Sequence, residues 1–184
     1  MNVLETRSLL DYQQTMAAPL LETVRFPWEA LPKIKEFLLQ LGPSLPSEEY
    51  EQKGDGVWVA RSARVAPTAC LCGPLIVGKN AEIRHCAFIR GNAIIGEGAV
   101  VGNSTELKNV ILSNGVQVPH YNYVGDSILG YKAHMGAGSI TSNVKSDKTL
   151  VTIASPEGII ATGLKKMGAI LGDFVEVGCN SLLN

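Results

Sequence analysis

The sequence predicts an all-β fold of stacked six-residue repeats, preceded by a short helical segment. Starting at Val59, steps of six residues reach an aliphatic side chain nine times in succession: Val59, Val65, Leu71, Val77, Ile83, Ile89, Ile95, Val101 and Leu107. Alanine stands four residues after six of the first eight of these positions. Glycine often follows the aliphatic residue directly, where we expect a tight turn. This period fits neither the 3.6-residue period of a helix nor the simple alternation of a strand.

Composition limits the other possibilities. The 184 residues suffice for one compact domain with a small appendage. Hydrophobic residues make up 46% of the chain and aromatic residues only 6%, which predicts a core of small and branched aliphatic side chains. The formal net charge is -1, so we expect no nucleic acid and no membrane surface as a partner. No signal peptide and no apolar run of ~18 residues is visible, which favours a cytoplasmic protein.

Residues 1–55 are predicted to form an N-terminal helical cap. Residues 27–41 fit one helix, because Leu31, Ile34, Leu38 and neighbouring apolar residues share one face, and Gly42 follows where a helix would stop. Residues 1–25 carry leucines without a clean period and suggest a further short helix or an ordered arm. We expect this segment to cover the open end of the stack, since exposed strand edges favour aggregation.

The stack itself is predicted over residues 56–184, with two slips and one interruption. The step shortens to five residues at Leu112 and again at Leu129, and the period returns near the end at Leu171. Between about residues 142 and 169 the hexads stop. Within this excursion, residues 149–162 read as two strands around a turn at Pro156 and Glu157.

The four cysteines do not predict a metal centre. Cys70, Cys72, Cys86 and Cys179 match no zinc or redox spacing. Cys86 follows His85, which raises a metal hypothesis, but a buried free cysteine packs as a small hydrophobic residue and that explanation is sufficient. We therefore predict no metal site.

Three cations, Arg84, Arg90 and Lys108, and one proline, Pro119, break the rule that a small residue follows the aliphatic position. Arg90 and Lys108 are 18 residues apart, so in a coil of three hexads they stack at a strand spacing of ~4.8 Å. Two cations at that distance repel each other unless an anion lies between them. On charge alone, basic side chains that extend into water at a turn explain both residues; the stacking favours a phosphate site.

The repeat resembles that of the hexapeptide acyltransferases, whose fold is a left-handed parallel β-helix. In that fold three hexads form one triangular coil, and the aliphatic residues point into the prism. From Gly102 to Asn143 the chain is similar to the acetyltransferase domain of bifunctional glucosamine-1-phosphate N-acetyltransferase/N-acetylglucosamine-1-phosphate uridylyltransferase. It also resembles the corresponding domain of archaeal-type sugar-1-phosphate nucleotidylyltransferases. The motif His120-Tyr121-Asn122-Tyr123 carries much of this resemblance.

The resemblance implies a role for each of several residues. His120 in the His-x-x-Tyr motif would be the general base toward a sugar amine, and Tyr123 would contact the substrate. The family's phosphate-binding arginine and lysine fall on Arg90 and Lys108. A catalytic asparagine near the acetyl group falls on Asn143.

Three further assignments are looser. His134 stands where the bacterial enzymes have a substrate-binding asparagine. Lys145 and Lys148 correspond to basic residues that bind the cofactor. Ala137 lies in a glycine-rich turn whose backbone N–H groups would hold the thioester oxygen.

These roles imply an N-acetyltransferase that moves the acetyl group of acetyl-CoA to the amine of a hexosamine 1-phosphate, such as glucosamine 1-phosphate. Active sites between the prisms of a homotrimer follow from the same resemblance. No pyrophosphorylase activity is expected, because residues 1–54 contain no Gly-Gly-x-Gly-Thr-Arg-like loop. Two alternatives stay open: a non-catalytic trimeric module that binds a sugar phosphate or nucleotide sugar for regulation or assembly, and an acyltransferase with another amine or hydroxyl acceptor.

Overall fold

A computed structural model describes residues 2–184. The helices are α1 (Thr6–Leu9), α2 (Ala18–Leu21) and α3 (Ile34–Leu41), with 3-10 turns at Tyr12–Gln14, Pro27–Lys33 and Gly42–Ser44. The first strands are β1 (Tyr50–Gly54), β2 (Val57–Ala60), β3 (Arg64–Val65), β4 (Cys70–Leu71), β5 (Leu75–Val77), β6 (Glu82–Ile83), β7 (Phe88–Ile89), β8 (Ala93–Ile95) and β9 (Val100–Asn103). The later strands are β10 (Glu106–Leu112), β11 (Gln117–His120), β12 (Tyr123–Leu129), β13 (His134–Met135), β14 (Ile140–Thr141), β15 (Thr152–Ser155), β16 (Gly158–Ala161), β17 (Ile170–Leu171), β18 (Glu176–Val177) and β19 (Leu182–Leu183).

The strands form a three-sided prism of about five coils, which confirms the predicted left-handed parallel β-helix. Face 1 consists of β2, β5, β8, the second halves of β10 and β12, and β17. Face 2 consists of β4, β7, the first halves of β10 and β12, β14 and β19. Face 3 consists of β3, β6, β9, β11, β13 and β18.

The predicted aliphatic positions form the core of the prism. All nine pack in one cluster, and of the nine only Val65 and Leu71 are partly exposed. Because each inward residue sits above another in the next coil, one ladder of side chains fills each side of the interior.

The two slips of the repeat shorten one corner of the prism. In β10, Val110 follows Leu107 after three residues, whereas their partners in the preceding coil, Ile89 and Ala93, are four residues apart. One corner residue is missing, so β10 and the next-coil strand β12 run straight from face 2 into face 1.

The glycines after the aliphatic positions have a different cause from the one expected. Gly78, Gly96 and Gly136 do not adopt the left-handed backbone that favours glycine. Instead, a Cβ atom on them would lie 2.8, 2.5 and 2.7 Å from backbone atoms of the next coil. Glycine is needed there because successive coils approach each other closely, not because the chain turns tightly.

Most of the N-terminal segment covers a side of the prism, and only its last strand, β1, lies at the open end as expected, where it pairs with β2. Outward isoleucines of face 1, such as Ile94 and Ile111, are fully buried beneath Trp28, Ile34 and other apolar residues of this segment. At the far end of the prism, the Asp173 N–H donates to the carbonyl of Leu9 at 3.0 Å. The segment therefore runs along face 1 as a lateral cover.

Within this cover, the helix predicted over residues 27–41 is only half correct. Pro27–Lys33 is a 3-10 turn and the α-helix begins at Ile34, because Pro32 lacks the N–H that an α-helix would use. Gly42 has an ordinary φ of -54°, and it is glycine because a side chain would overlap the Trp58 ring. The antiparallel hairpin of β1 and β2 also begins before residue 56.

Two other expectations have clear outcomes. The excursion does contain a hairpin, in which β15 pairs with β16 from Thr152–Ala161 to Ser155–Gly158. The expectation that the cysteines are buried is wrong, because all four free thiols are exposed. No helix in residues 2–184 combines the length and the apolar character needed to cross a membrane.

Candidate active site

The stacked cations lie at the corner between face 2 and face 1. Leu107 pairs with Ile89, so Lys108 lies directly over Arg90 as expected. Each cation has a carboxylate partner: Arg90 Nη1 donates to Glu106 Oε1 at 2.8 Å, and Lys108 Nζ donates to Asp126 Oδ1 at 3.0 Å. The hydrogen bond to Glu106 raises the pKa of Arg90 above its ordinary value. The protein itself thus supplies the counter-charges, and the stack needs no phosphate for balance.

Asp126 is the centre of a polar cluster at this corner. Its carboxylate, on a residue only 4% exposed, accepts hydrogen bonds from Lys108, from Asn109 Nδ2 at 2.9 Å and from Asn143 Nδ2 at 2.6 Å. Asn143 Nδ2 also donates to the hydroxyl of Tyr123 at 3.3 Å. We call these five residues the Asp126 cluster; it contains three of the predicted site residues.

His120 and Ala137 lie at the opposite edge of face 2, at its corner with face 3. The Gly138 N–H donates to the His120 carbonyl at 2.9 Å, which places the turn containing Ala137 beside His120 in the next coil. Asn122, buried between them, donates to the Gly136 carbonyl at 2.8 Å and fixes this corner. The His120 ring is exposed, and no hydrogen bond joins it to the Asp126 cluster within residues 2–184.

The Ala137 N–H is an available donor beside His120. The neighbouring N–H groups are occupied, since Gly136 donates to Val177 and Gly138 donates to His120. In the described part of the chain the Ala137 N–H has no acceptor. Such a fixed, unused N–H can stabilise a developing oxyanion.

His134 lies elsewhere, on face 3. Its Nδ1 is 2.7 Å from Glu176 Oε2, and it lines a cavity of about 470 Å³ together with Lys132 and Phe174. Within one protomer the structure therefore does not bring His134 to the Asp126 cluster or to face 2.

Lys145 and Lys148 lie at the start of the excursion. Lys145 Nζ donates to Thr149 Oγ1 at 2.7 Å and lines a cavity of about 410 Å³ that Asn143 also lines. Lys148 lines an adjoining cavity of about 590 Å³. Lys145 is thus next to the cluster, and Lys148 is one cavity further away.

Sequence reasoning missed Glu106, Asn109 and Asp126. A signal for two of them was present, since Asn109 and Asp126 stand at the shortened corners that the five-residue steps create. Nothing in a single coil identifies them, because their partners belong to neighbouring coils.

A prism of hexapeptide coils with a His-x-x-Tyr motif across one face is typical of the hexapeptide-repeat acyltransferases. Similarity to known proteins confirms the predicted resemblance to this class. Residues 71–184, more than half of the chain, match the family described as the GMPPB C-terminal domain. The protein belongs to that family.

Individual relatives agree with this assignment. The chain is 33% identical over 165 residues to the putative uncharacterized acetyltransferase YaiX of Escherichia coli (strain K12), covering 77% of this chain and 70% of that protein. It is 39% identical over 98 residues to the bifunctional protein GlmU of Methanococcus vannielii, covering 53% of this chain. The chain matches only 23% of the length of that GlmU. The acetyltransferase domain of PglB from Neisseria gonorrhoeae FA1090 aligns at 17% identity over 70% of this chain and 49% of that chain, and its TM-score of 0.33 is too low to bear on function.

Proposed function

We propose that the protein is an acyltransferase that moves the acetyl group of acetyl-CoA to the amine of a hexosamine 1-phosphate such as glucosamine 1-phosphate. One observation carries the proposal: the uncovered face 2 has an exposed imidazole at one edge and the Asp126 cluster at the other. Tyr123, three residues after His120 in the same motif, belongs to that cluster, because its hydroxyl accepts a hydrogen bond from Asn143. The acetyltransferase name of the YaiX relative agrees with this reaction class.

His120 is the proposed general base. The acceptor ammonium must lose a proton before its nitrogen can attack, and an imidazole titrates near neutral pH. The first ammonium proton passes through His120 to solvent. As the amine then attacks the thioester carbonyl, His120 takes a second proton from its nitrogen, the carbon–sulfur bond breaks, and this second proton passes to the departing CoA thiolate. The free Ala137 N–H would hold the carbonyl oxygen while it carries negative charge.

The Asp126 cluster is the proposed acceptor site. Lys108 and Arg90 would contact the phosphate, which must then share both cations with Asp126 and Glu106. Asn143 and the Tyr123 hydroxyl offer neutral hydrogen bonds beside them. His134 is proposed to contact substrate only if a neighbouring protomer supplies face 3.

Acetyl-CoA is the proposed co-substrate, with its anionic groups near Lys145 and Lys148. The cavities that these lysines line begin at Asn143 and continue along the excursion. A long, flexible donor could therefore extend from the cluster toward the excursion.

A homotrimer is the proposed assembly. The chain's own cover occupies face 1, whereas face 2 exposes Phe88, Ile140 and Leu182 in one outward column. Exposed apolar patches of this kind mark interaction sites. A neighbour packed on face 2 would bring its His120 or its Asp126 cluster to the opposite edge and so complete the site.

The test is release of free thiol from acetyl-CoA with a panel of amino-sugar phosphates. His120→Ala should reduce turnover by about 10²-fold or more, the usual contribution of a general base. The matched control is His85→Ala, since His85 is an exposed imidazole at the same corner two coils earlier, hydrogen-bonded to Thr68. Equal turnover of wild type and His120→Ala would remove His120 from the mechanism.

The non-catalytic module remains a second candidate because both stacked cations are already paired with carboxylates. Binding of glucosamine 1-phosphate in a calorimeter, with no thiol release from acetyl-CoA for any acceptor, would favour this candidate over the enzyme.

A further inference from the structure

Asp126 is a buried carboxylate to which the proposed reaction gives no role. Both of its oxygens are engaged, because Lys108 Nζ lies 3.0 Å from Oδ1 and 3.1 Å from Oδ2. Asn109 donates to Oδ1 and Asn143 donates to Oδ2. A buried carboxylate is costly unless it is paired in this way, so these contacts hold the donors as firmly as they hold Asp126.

The shortened corners create this arrangement. Asn109 and Asp126 occupy the two corners from which a residue is missing, and both have positive φ values, 56° and 48°. Lys108 pairs with Gly125 in the coil register, so its side chain lies beside the next residue, Asp126. The second shortened corner therefore places a carboxylate against a cation from the coil below.

The excursion supplies the third side chain. Asn143 stands two residues after β14, where the chain leaves the prism, and the Met167 N–H donates to the Asn143 carbonyl at 3.1 Å where the chain returns. The Gly168 N–H then donates to the Asp126 carbonyl at 2.8 Å. Both ends of the excursion are thus attached to the cluster around Asp126.

We propose that Asp126 is a positioning residue. It restrains Lys108 and orients both the Lys108 ammonium and the Asn143 amide toward the same acceptor substrate. The inference rests on the proposed function only in assigning Lys108 and Asn143 to the acceptor site. Asp126 itself contacts no reacting atom. Its carboxylate competes with any incoming anion for Lys108 and so determines how strongly this corner binds phosphate.

The lateral cover is part of the same arrangement. Asn109 Nδ2, which donates to Asp126, also lies 3.3 Å from the carbonyl of Leu31 in the cover. A single side chain therefore connects the N-terminal segment with the carboxylate that positions the site.

Removal of the Asp126 charge should have two opposite effects. Asp126→Asn frees the Lys108 ammonium, so affinity for an inorganic anion should rise about five- to tenfold, as expected for a partly buried charge that loses its partner. The new amide has donors where Lys108 and Asn143 need an acceptor, so these groups lose their alignment and kcat should fall about tenfold or more.

The experiment measures inorganic phosphate binding by calorimetry at low ionic strength, together with kcat and KM for glucosamine 1-phosphate. Asp126→Asn should bind phosphate more tightly, and the gain should vanish in the double variant with Lys108→Gln. A gain that persists without Lys108, or an unchanged affinity in Asp126→Asn, would overturn the proposal.

A matched control separates positioning from stability. Asp173 is also a corner carboxylate, but among residues 2–184 it accepts only from the backbone N–H groups of Asp11 and Tyr131, at 2.8 and 2.7 Å, away from the cluster. Asp173→Asn should lower Tm and leave phosphate affinity and KM unchanged. If Asp126→Asn and Asp173→Asn have the same phosphate affinity, the role of Asp126 is only structural.

Failure of the proposed function would be visible separately. If the wild-type chain shows no turnover but Asp126→Asn still binds phosphate more tightly than wild type, the proposed acyltransferase activity is refuted and the positioning role of Asp126 is retained. If Asp126→Asn does not fold, Asp126→Glu keeps the charge but displaces the carboxylate by one methylene. It should keep phosphate affinity within about twofold and lower kcat; wild-type kcat and KM in Asp126→Glu would overturn the proposal.

Discussion

Face 1 and face 2 arise from the same repeat, yet one is buried and the other is bare. The outward residues of face 1, such as Ile94 and Ile111, are 0% exposed beneath the cover. On face 2, Phe88 is 39% and Leu182 65% exposed, and polar residues share the column. An aliphatic residue at the inward position is what makes a coil form. The outward residue beside it determines whether a face is buried under the cover or stays exposed and available for a functional site.

The largest effect expected from this contrast is on folding. Ile111→Asp places an unpaired carboxylate between the prism and its cover, which should cost about 3–5 kcal/mol of unfolding free energy. Ile140→Asp makes the same change on face 2, where the side chain is 42% exposed, and should cost the dissociated protomer little. Urea unfolding at protein concentrations where the protomers are dissociated measures both variants; similar losses would mean that the two faces do not differ.

Coil stacking gives the next largest effect. A Cβ on Gly102 would overlap the Pro119 carbonyl of the next coil, so Gly102→Ala should cost about 1–3 kcal/mol, as overpacking usually does. Gly178 has the same place in the last coil, and a Cβ there would meet only Ser181 Oγ at 3.8 Å. Thermal unfolding should therefore leave Gly178→Ala close to wild type; a loss equal to that of Gly102→Ala would refute the explanation.

The bare face should control assembly without affecting the protomer. If face 2 packs on a neighbour, Ile140→Asp should weaken the trimer at least about tenfold, since it places a charge in an apolar contact. Light scattering across a dilution series measures this. A trimer as tight as wild type would exclude this part of face 2 from the interface.

The smallest effect concerns face 3, whose outward residues include the charged pair Arg64 and Glu82. The hydrogen bond from Arg84 is the main cause that lowers the pKa of Glu82 below its ordinary value of 4.5. A lowered carboxyl pKa contributes stability above the ordinary value, and this is lost as the pH falls through the folded-state pKa. Glu82→Gln should therefore lower the free energy of unfolding slightly at pH 7, by no more than about 1 kcal/mol, and this difference should shrink as the pH is lowered below 4.5. A difference that does not change with pH would exclude the charge as its cause.

The sequence predicts the prism well because its determinant is local. An aliphatic residue every six positions specifies a coil whatever the neighbouring coils contain, as Ile83 and Ile95 show. The position of the cover is harder to predict from the sequence. Ile94, for example, stands between Ala93 and Ile95, and in the sequence it cannot be told apart from the residues that point inward. Only the strand pairing assigns it to the outward side of face 1.

The site is only partly predictable for a related reason. The His120 motif and the stacked pair of Arg90 and Lys108 are visible within one or two coils. Asp126 cannot be recognised in this way, because its position against Lys108 depends on a corner that is one residue shorter than the repeat. The resemblance groups His134 with the site, but its strand belongs to face 3.

The central claim is that the two edges of face 2 form one site through a neighbouring protomer. The most direct measurement unfolds His120→Ala and Lys108→Met chains together, refolds them as mixed trimers and follows acetyl transfer. Since random mixing places an intact His120 opposite an intact cluster at one interface in four, turnover should return to about a quarter of wild type, although each parent is inactive. Mixed trimers as inactive as their parents would contradict the claim.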